Sequence, residues 1–140
     1  MNKHIRKVAI LGSGVMGSRI ACHFANIGCE VLLLDIVPRE LTPDETKKGL
    51  TLESRIVRNR IVDSALQFAL KSNPSPIYRK SFASFIETGN FDDDLSKIST
   101  CDWIIEVVIE RLDIKQQLFE KVEKFRTSGT LISSNTSGIP

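Results

Sequence analysis

Histidine is scarce in this chain of 140 residues: His4 and His23 are the only two. His4 belongs to a basic leader and His23 falls deep inside a helical pattern, so no residue is an evident general base. Three cysteines, Cys22, Cys29 and Cys101, are an odd number without metal-ligand spacing. They are expected to be reduced and structural, in a cytoplasmic protein. Long apolar runs are missing too. Behind the basic start Met1–Lys7 the run Val8–Leu11 stops at Gly12, too short for a secretory signal, and nothing approaches membrane-spanning length. Charge of one sign is not in excess, at a formal net +2, so neither nucleic acid nor a membrane surface is implied as a partner. There is no internal repeat and no low-complexity tract. What remains is ordinary for a soluble globular domain, with 41% hydrophobic and 26% charged residues.

Against that background one stretch stands out, KVAILGSGVMGSRIACHFANIGCEVLLLD, residues 7–35. An apolar run meets Gly12-Ser13-Gly14-Val15-Met16-Gly17; a helical pattern stops near Gly28; a second apolar run, Val31–Leu34, ends in Asp35. Strand, glycine turn, helix, strand and acid suit a dinucleotide. Gly12 permits the tight turn, Gly14 lets the backbone approach a pyrophosphate, and Gly17 allows helix and strand to pack closely. The N–H groups and positive dipole end at the helix start suit phosphates. Only the backbone of Met16 need touch the ligand. Asp35 can accept hydrogen bonds from the adenosine ribose and would repel a 2′-phosphate, which favours NAD over NADP.

The helix is expected over Val15–Ile27, with Met16, Ile20, Phe24 and Ile27 on one stripe. Ile36–Pro43 is a loop with two prolines. Thr42-Pro43-Asp44-Glu45 has the chemistry of a helix start. Leu50–Leu70 has a helical pattern, with Gly49 as an interruption before it and Asn73-Pro74-Ser75-Pro76 as its end. One face carries Lys47, Lys48, Arg55, Arg58 and Arg60, either a solvated face or a strip that meets a polyphosphate. This excursion is longer than a crossover requires and is expected to form a helical protrusion, about residues 42–80, beside the cofactor site. Phe82–Glu87 is a weak strand candidate and Thr88-Gly89-Asn90 is turn-like. Asp92-Asp93-Asp94-Leu95 opens a short helix; consecutive acids point in different directions and do not make a metal site. Trp103–Val108 is a strand, Leu112–Phe125 an amphipathic helix, and Thr130–Ser133 a last strand.

The pattern is α/β: a Rossmann-type doubly wound parallel sheet with a helical insertion after the second strand, one domain over residues 1–140. Such sheets have about six strands and the pattern supplies five, so the sheet is expected to be incomplete at its C-terminal edge and the chain to be a fragment of a longer protein. Ligands bind at the carboxyl ends of strands in this architecture. The glycine turn, Glu110 with Lys115, and Asn135 with Ser137 all fall at that edge.

GSGVMG, then Asp35, then WIIEVVIERLDIKQQLFEKVE, then SSNTSGIP resemble the NAD-binding domain of the 3-hydroxyacyl-CoA dehydrogenases over nearly the whole chain. The insertion with KKGLTLESRIVRNR is most similar to that of the large multifunctional fatty-acid oxidation enzymes of bacteria. The resemblance implies oxidation of a (3S)-3-hydroxyacyl-CoA to a 3-oxoacyl-CoA, with hydride passing to NAD. By position it implies that Gly12, Ser13, Gly14, Val15, Met16 and Gly17 hold the pyrophosphate and that Asp35 holds the ribose. Glu110 and Lys115 would approach the nicotinamide half. Ser137 would hydrogen-bond the substrate hydroxyl, with Asn135 nearby, and Arg55, Arg58 and Arg60 would meet the phosphates of coenzyme A. The family's histidine base, oriented by a glutamate, and its helical dimerisation domain are expected beyond residue 140. The parent enzyme would be oligomeric and this chain inactive alone. Two other readings are a related dehydrogenase of 3-hydroxy acids or sugar acids without coenzyme A, and a nucleotide-binding module without chemistry.

Overall fold

A computed structural model of the chain describes residues 5–72, 74–107, 112–125 and 129–134. Five strands form one sheet: β1 (Lys7–Leu11), β2 (Glu30–Asp35), β3 (Ile86–Asn90), β4 (Trp103–Glu106) and β5 (Leu131–Ser134). Their order is β3-β2-β1-β4-β5 and every pairing is parallel. The chain moves outward from β1 to β3, then returns to the other side of β1 for β4 and β5. The strand order therefore reverses between β1 and β4.

Helices cover both faces, which is why the strands are apolar without alternation. Val8 and Ile10 of β1 point to one face, against α1 (Val15–Asn26) and α4 (Arg60–Leu70). Ala9 and Leu11 point to the other, where Leu118 and Val122 of α5 (Leu112–Phe125) join Leu95 and Ile98. The core-facing side of α1 matches the expected bulky stripe only in part, at Ile20 and Phe24, which pack partly buried against the core. Its buried residues are Gly17, Ser18, Ala21, Cys22 and Ala25, small enough for the helix axis to lie close to the sheet. Met16 and Ile27 are exposed. The three cysteines are buried and unpaired, as expected. Burial pushes the Cys101 thiol up to about 11, so it is protonated at neutral pH.

The insertion begins as its sequence suggests. Thr42 and Glu45 form a reciprocal capping box at the start of α2 (Pro43–Lys47). Gly49, at φ +75°, breaks the path after it. The single helix expected over Leu50–Leu70 is instead two, α3 (Arg55–Arg58) and α4, separated at Asn59. Thr51 and Ser54 turn the chain first: the Thr51 N–H donates to Ser54 Oγ at 3.0 Å. Such local hydroxyl bonds compete with helix.

A second correction concerns β3. The expected strand Phe82–Glu87 is largely a 3-10 helix, Lys80–Phe85, and the residues with turn chemistry, Thr88-Gly89-Asn90, are in the strand. Tertiary structure explains their identity. A Cβ on Gly89 would lie 2.5 Å from Asp94 Oδ2. Asn90 is fully buried; its Oδ1 accepts the Asp92 and Asp93 N–H groups at 3.0 and 2.7 Å.

The three successive acids close this end of β3 onto the insertion. Arg58 grips Asp93 bidentately at 2.7 and 3.0 Å, and Arg55 meets Asp94 at 3.0 Å. Asn90 Nδ2 donates to Asn59 Oδ1 at 2.8 Å. Among the described residues no cluster of His, Cys, Asp or Glu has the arrangement of a metal site. Hydrogen bonds from Arg58 and Asn90 hold Asp93 below the usual carboxylate range. Burial pushes Asp94 up, but Arg55, the Asn90 N–H and Lys97 together outweigh it and leave its carboxyl lowered.

An acid-stability prediction follows from that direction. A carboxylate with a lowered folded pKa stabilises above its unfolded value, about 3.9, and loses that contribution as pH falls through the folded value. Asp94→Asn should cost about 2 kcal/mol at pH 7 by removing charge-assisted hydrogen bonds. As Asp94 of the wild type protonates, on acidification below about pH 4, the difference should shrink. Urea unfolding of both proteins at pH 7 and pH 3 measures it. A difference that stays constant with pH would contradict the ion-pair account.

Candidate functional site

The strand register sets the site. At their carboxyl ends Asn90 pairs with Asp35, Leu34 with Leu11, Leu11 with Glu106, and Glu106 with Ser134. The glycine turn leaves β1 in the middle of that row, beside the strand-order reversal. Two backbone bonds hold the turn's entry: Gly12 N–H donates to Leu34 O and Val107 N–H to Leu11 O, both at 2.8 Å.

Each glycine does a different thing. Gly12 has φ +116°, a conformation that suits a residue without Cβ. A Cβ on Gly17 would lie 1.8 Å from Gly12 O, so α1 rests directly on the turn's backbone. A Cβ on Gly14 would meet nothing within 4 Å. The approach to the Gly14 backbone is therefore open, as a phosphate-binding turn requires. Gly14 caps α1 with no side-chain hydrogen bond, and the positive end of the helix dipole lies at the turn.

Asp35 ends β2 and reaches across to the turn. Its Oδ2 accepts the Ser13 N–H at 2.8 Å and the Ser13 hydroxyl at 2.5 Å, and its Oδ1 accepts the Ile36 N–H at 2.7 Å. The Ser18 hydroxyl donates to Ser13 O at 2.6 Å. The acid and the glycine turn, 22 positions apart at this contact, are one hydrogen-bonded unit. Beyond Asp35 lies a cavity of about 260 Å³, lined by Ile36, Val37, Pro38, Arg39, Phe91 and Leu118 among others. Its walls are mixed, with Arg39, Asp92 and Lys121 beside the apolar side chains; Ile36, Val37, Pro38 and Phe91 offer an apolar surface to a flat aromatic base beside the ribose. Sequence reasoning treated 36–43 only as a loop; the signal was three apolar residues placed directly after the acid. On the other side of the turn a groove runs between Ser13, Gly14 and Val15 and the Ala65, Phe68 and Ala69 face of α4.

The other expected site residues fare differently. Lys115 falls within α5, where only its backbone position is described. Glu110, Asn135 and Ser137 lie outside the described residues. Arg55 and Arg58 have the acidic partners given above, and Arg60 pairs with Glu45 and donates to Glu40 O at 3.1 Å. The basic strip is thus spent largely on carboxylates of the chain itself. His23 is exposed on α1 with its ring edge-on to Phe24, at 5.8 Å between centroids, away from the carboxyl-end row.

A parallel sheet, a glycine turn at its switch point, an open approach at Gly14 and an acid at the tip of the next strand define a dinucleotide-binding α/β domain. The chain belongs to the 3-hydroxyacyl-CoA dehydrogenase family as its NAD-binding domain, whose family model matches residues 7–140. A probable 3-hydroxyacyl-CoA dehydrogenase of Bacillus subtilis is 54% identical over 99% of this chain and 18% of its own length. Another from Deinococcus radiodurans is 43% identical over 97% of this chain and 35% of the relative. Among solved structures, (S)-3-hydroxybutyryl-CoA dehydrogenase from Ralstonia eutropha matches with a TM-score of 0.61 and 25% identity, over 97% of this chain and 42% of that one. The chain thus spans about a fifth to a third of the length of these curated relatives. No helix among the described residues is long and apolar enough to cross a membrane.

Proposed function

We propose that this chain is the cofactor-binding part of an NAD-dependent dehydrogenase that oxidises (3S)-3-hydroxyacyl-CoA to 3-oxoacyl-CoA. The observation that carries the reading is the direct hydrogen-bonded contact of Asp35 with the glycine turn at the switch point. The oxidation takes a hydride from the substrate's C3 and a proton from its hydroxyl; NAD, when bound, supplies the hydride acceptor. This chain's residues bind and orient. The backbone of Gly12 to Gly17, with Ser13, Val15 and Met16, lies along the pyrophosphate, and Asp35 takes the adenosine ribose. The cavity lined by Ile36 and Phe91 takes the adenine. Glu110 and Lys115 are assigned to the nicotinamide half, and Ser137 with Asn135 to the substrate hydroxyl. Arg55, Arg58 and Arg60 are assigned to holding the insertion, since carboxylates of the chain already engage all three. The parent enzyme is proposed to be cytoplasmic and oligomeric.

A domain exchange tests the activity. Residues 1–140 would replace the matching segment of the Bacillus subtilis relative. The chimera is expected to oxidise 3-hydroxyacyl-CoA with NAD, keeping kcat/KM within about tenfold of the parent, and to leave free 3-hydroxybutyrate untouched. A folded chimera without turnover would refute the proposal. Equal use of the free acid would favour a dehydrogenase that does not require coenzyme A.

A further inference from the structure

The carboxylate of Asp35 is more fully engaged than a ribose site allows. A carboxylate offers about four acceptor positions, two on each oxygen. Here Oδ2 is filled by the Ser13 N–H and the Ser13 hydroxyl, and Oδ1 holds the Ile36 N–H. One position remains, yet a ribose brings two hydroxyls. The two backbone donors are fixed by the turn and the strand end. Together with the two ribose hydroxyls they would make four donors, which fills the carboxylate. The Ser13 hydroxyl is the fifth, and it is the one donor able to leave by rotating about a single bond.

We propose that the Ser13 hydroxyl takes the place of a ribose hydroxyl on Asp35 and must release the carboxylate when the dinucleotide binds. The proposal rests on the reading of this turn as a dinucleotide site. Ser13 is then a positioning residue that sets affinity through Asp35. It holds the acid in place: the 2.5 Å contact is in the short range of charge-assisted hydroxyl–carboxylate bonds. On binding, that bond is broken. Ser13 is only 1% exposed, so water does not readily replace the carboxylate as its partner. The loss weakens net affinity, and removing the hydroxyl removes the loss.

The test compares wild type with Ser13→Ala, using calorimetric titration with NADH and with the analogue that lacks the 2′-hydroxyl on the adenosine ribose. Ser13→Ala should bind NADH about three- to tenfold more tightly, the equivalent of one modest hydrogen bond. The analogue brings one hydroxyl, which fits the vacant fourth position, so its affinity should be the same for both proteins. A purely structural serine would shift both ligands together. Should Ser13→Ala misfold, Ser13→Gly also lacks the hydroxyl and carries the same expectation. Wild type that binds NADH beside a variant that binds it equally or more weakly overturns this inference alone. Wild type that binds neither ligand overturns the dinucleotide reading and this inference with it.

Discussion

Gly17→Ala is expected to lower thermal stability by roughly 10 °C and to abolish NADH binding. The new methyl would lie 1.8 Å from Gly12 O and 2.8 Å from Gly12 C, with Ile10 Cγ2 at 3.7 Å behind them. The first two are backbone atoms of the turn, so no side chain can swing aside. Either α1 lifts from the sheet or the turn is pushed out of its bond to Leu34. Overpacking of this kind costs about 3 kcal/mol, and in a domain of this size each kcal/mol moves Tm by several degrees. Gly14→Ala is the matched control. Its φ of −55° suits alanine and its Cβ meets nothing within 4 Å. Stability should change by less than about 0.5 kcal/mol, while NADH affinity falls about tenfold or more because the methyl enters the phosphate approach. Calorimetric melting and NADH titration of both variants measure the split. A Gly17→Ala protein with wild-type melting and binding would contradict the packing of helix on turn.

Asp35→Ala should weaken NADH about a hundredfold or more. Two hydrogen bonds from ribose hydroxyls to a carboxylate are worth about 1.5–3 kcal/mol each. The same substitution leaves the Ser13 N–H and hydroxyl and the Ile36 N–H without their partner, at a cost of about 1–2 kcal/mol of stability. The large effect on binding and the small effect on folding separate a ligand-holding acid from a structural one. If the variant melts several degrees lower yet binds NADH as the wild type does, Asp35 only braces the turn.

The sheet was legible because its strands are short apolar runs buried on both faces, and the glycine turn because its spacing has a steric reason at each position. Asp35 was legible as an acid at a strand tip, but its tie to Ser13 was not. That bond joins residues made neighbours by the pairing of β1 with β2. The acids Asp92–Asp94 and the arginines Arg55 and Arg58 were each visible as charge runs. Their pairing crosses 35 to 39 residues and has no periodic signature. β3 was misplaced because Gly89 and Asn90 have turn chemistry, while their actual task is to make room for Asp94 and to cap the next loop. The single helix expected over 50–70 gave way to hydroxyl turns at Thr51 and Ser54, whose weight against helix propensity is decided by the packing of α4 onto β2 and β3 and by the pairing of Arg55 and Arg58 with Asp94 and Asp93. Small residues on the inner face of α1 carry a weak hydrophobic signal, so periodicity found Ile20 and Phe24, which pack on the core's edge, but also took in the exposed Met16 and Ile27.

The central claim is that Asp35 and the glycine turn form an NAD site. The most direct measurement is calorimetric titration of this chain with NADH and, in parallel, NADPH. The account predicts that NADH binds and that NADPH binds about tenfold or more weakly, because a 2′-phosphate would sit against the Asp35 carboxylate. Arg39 and Lys121 also line the neighbouring cavity, so the opposite preference is physically available to the site. NADPH binding as tightly as NADH, or neither binding, would contradict the account.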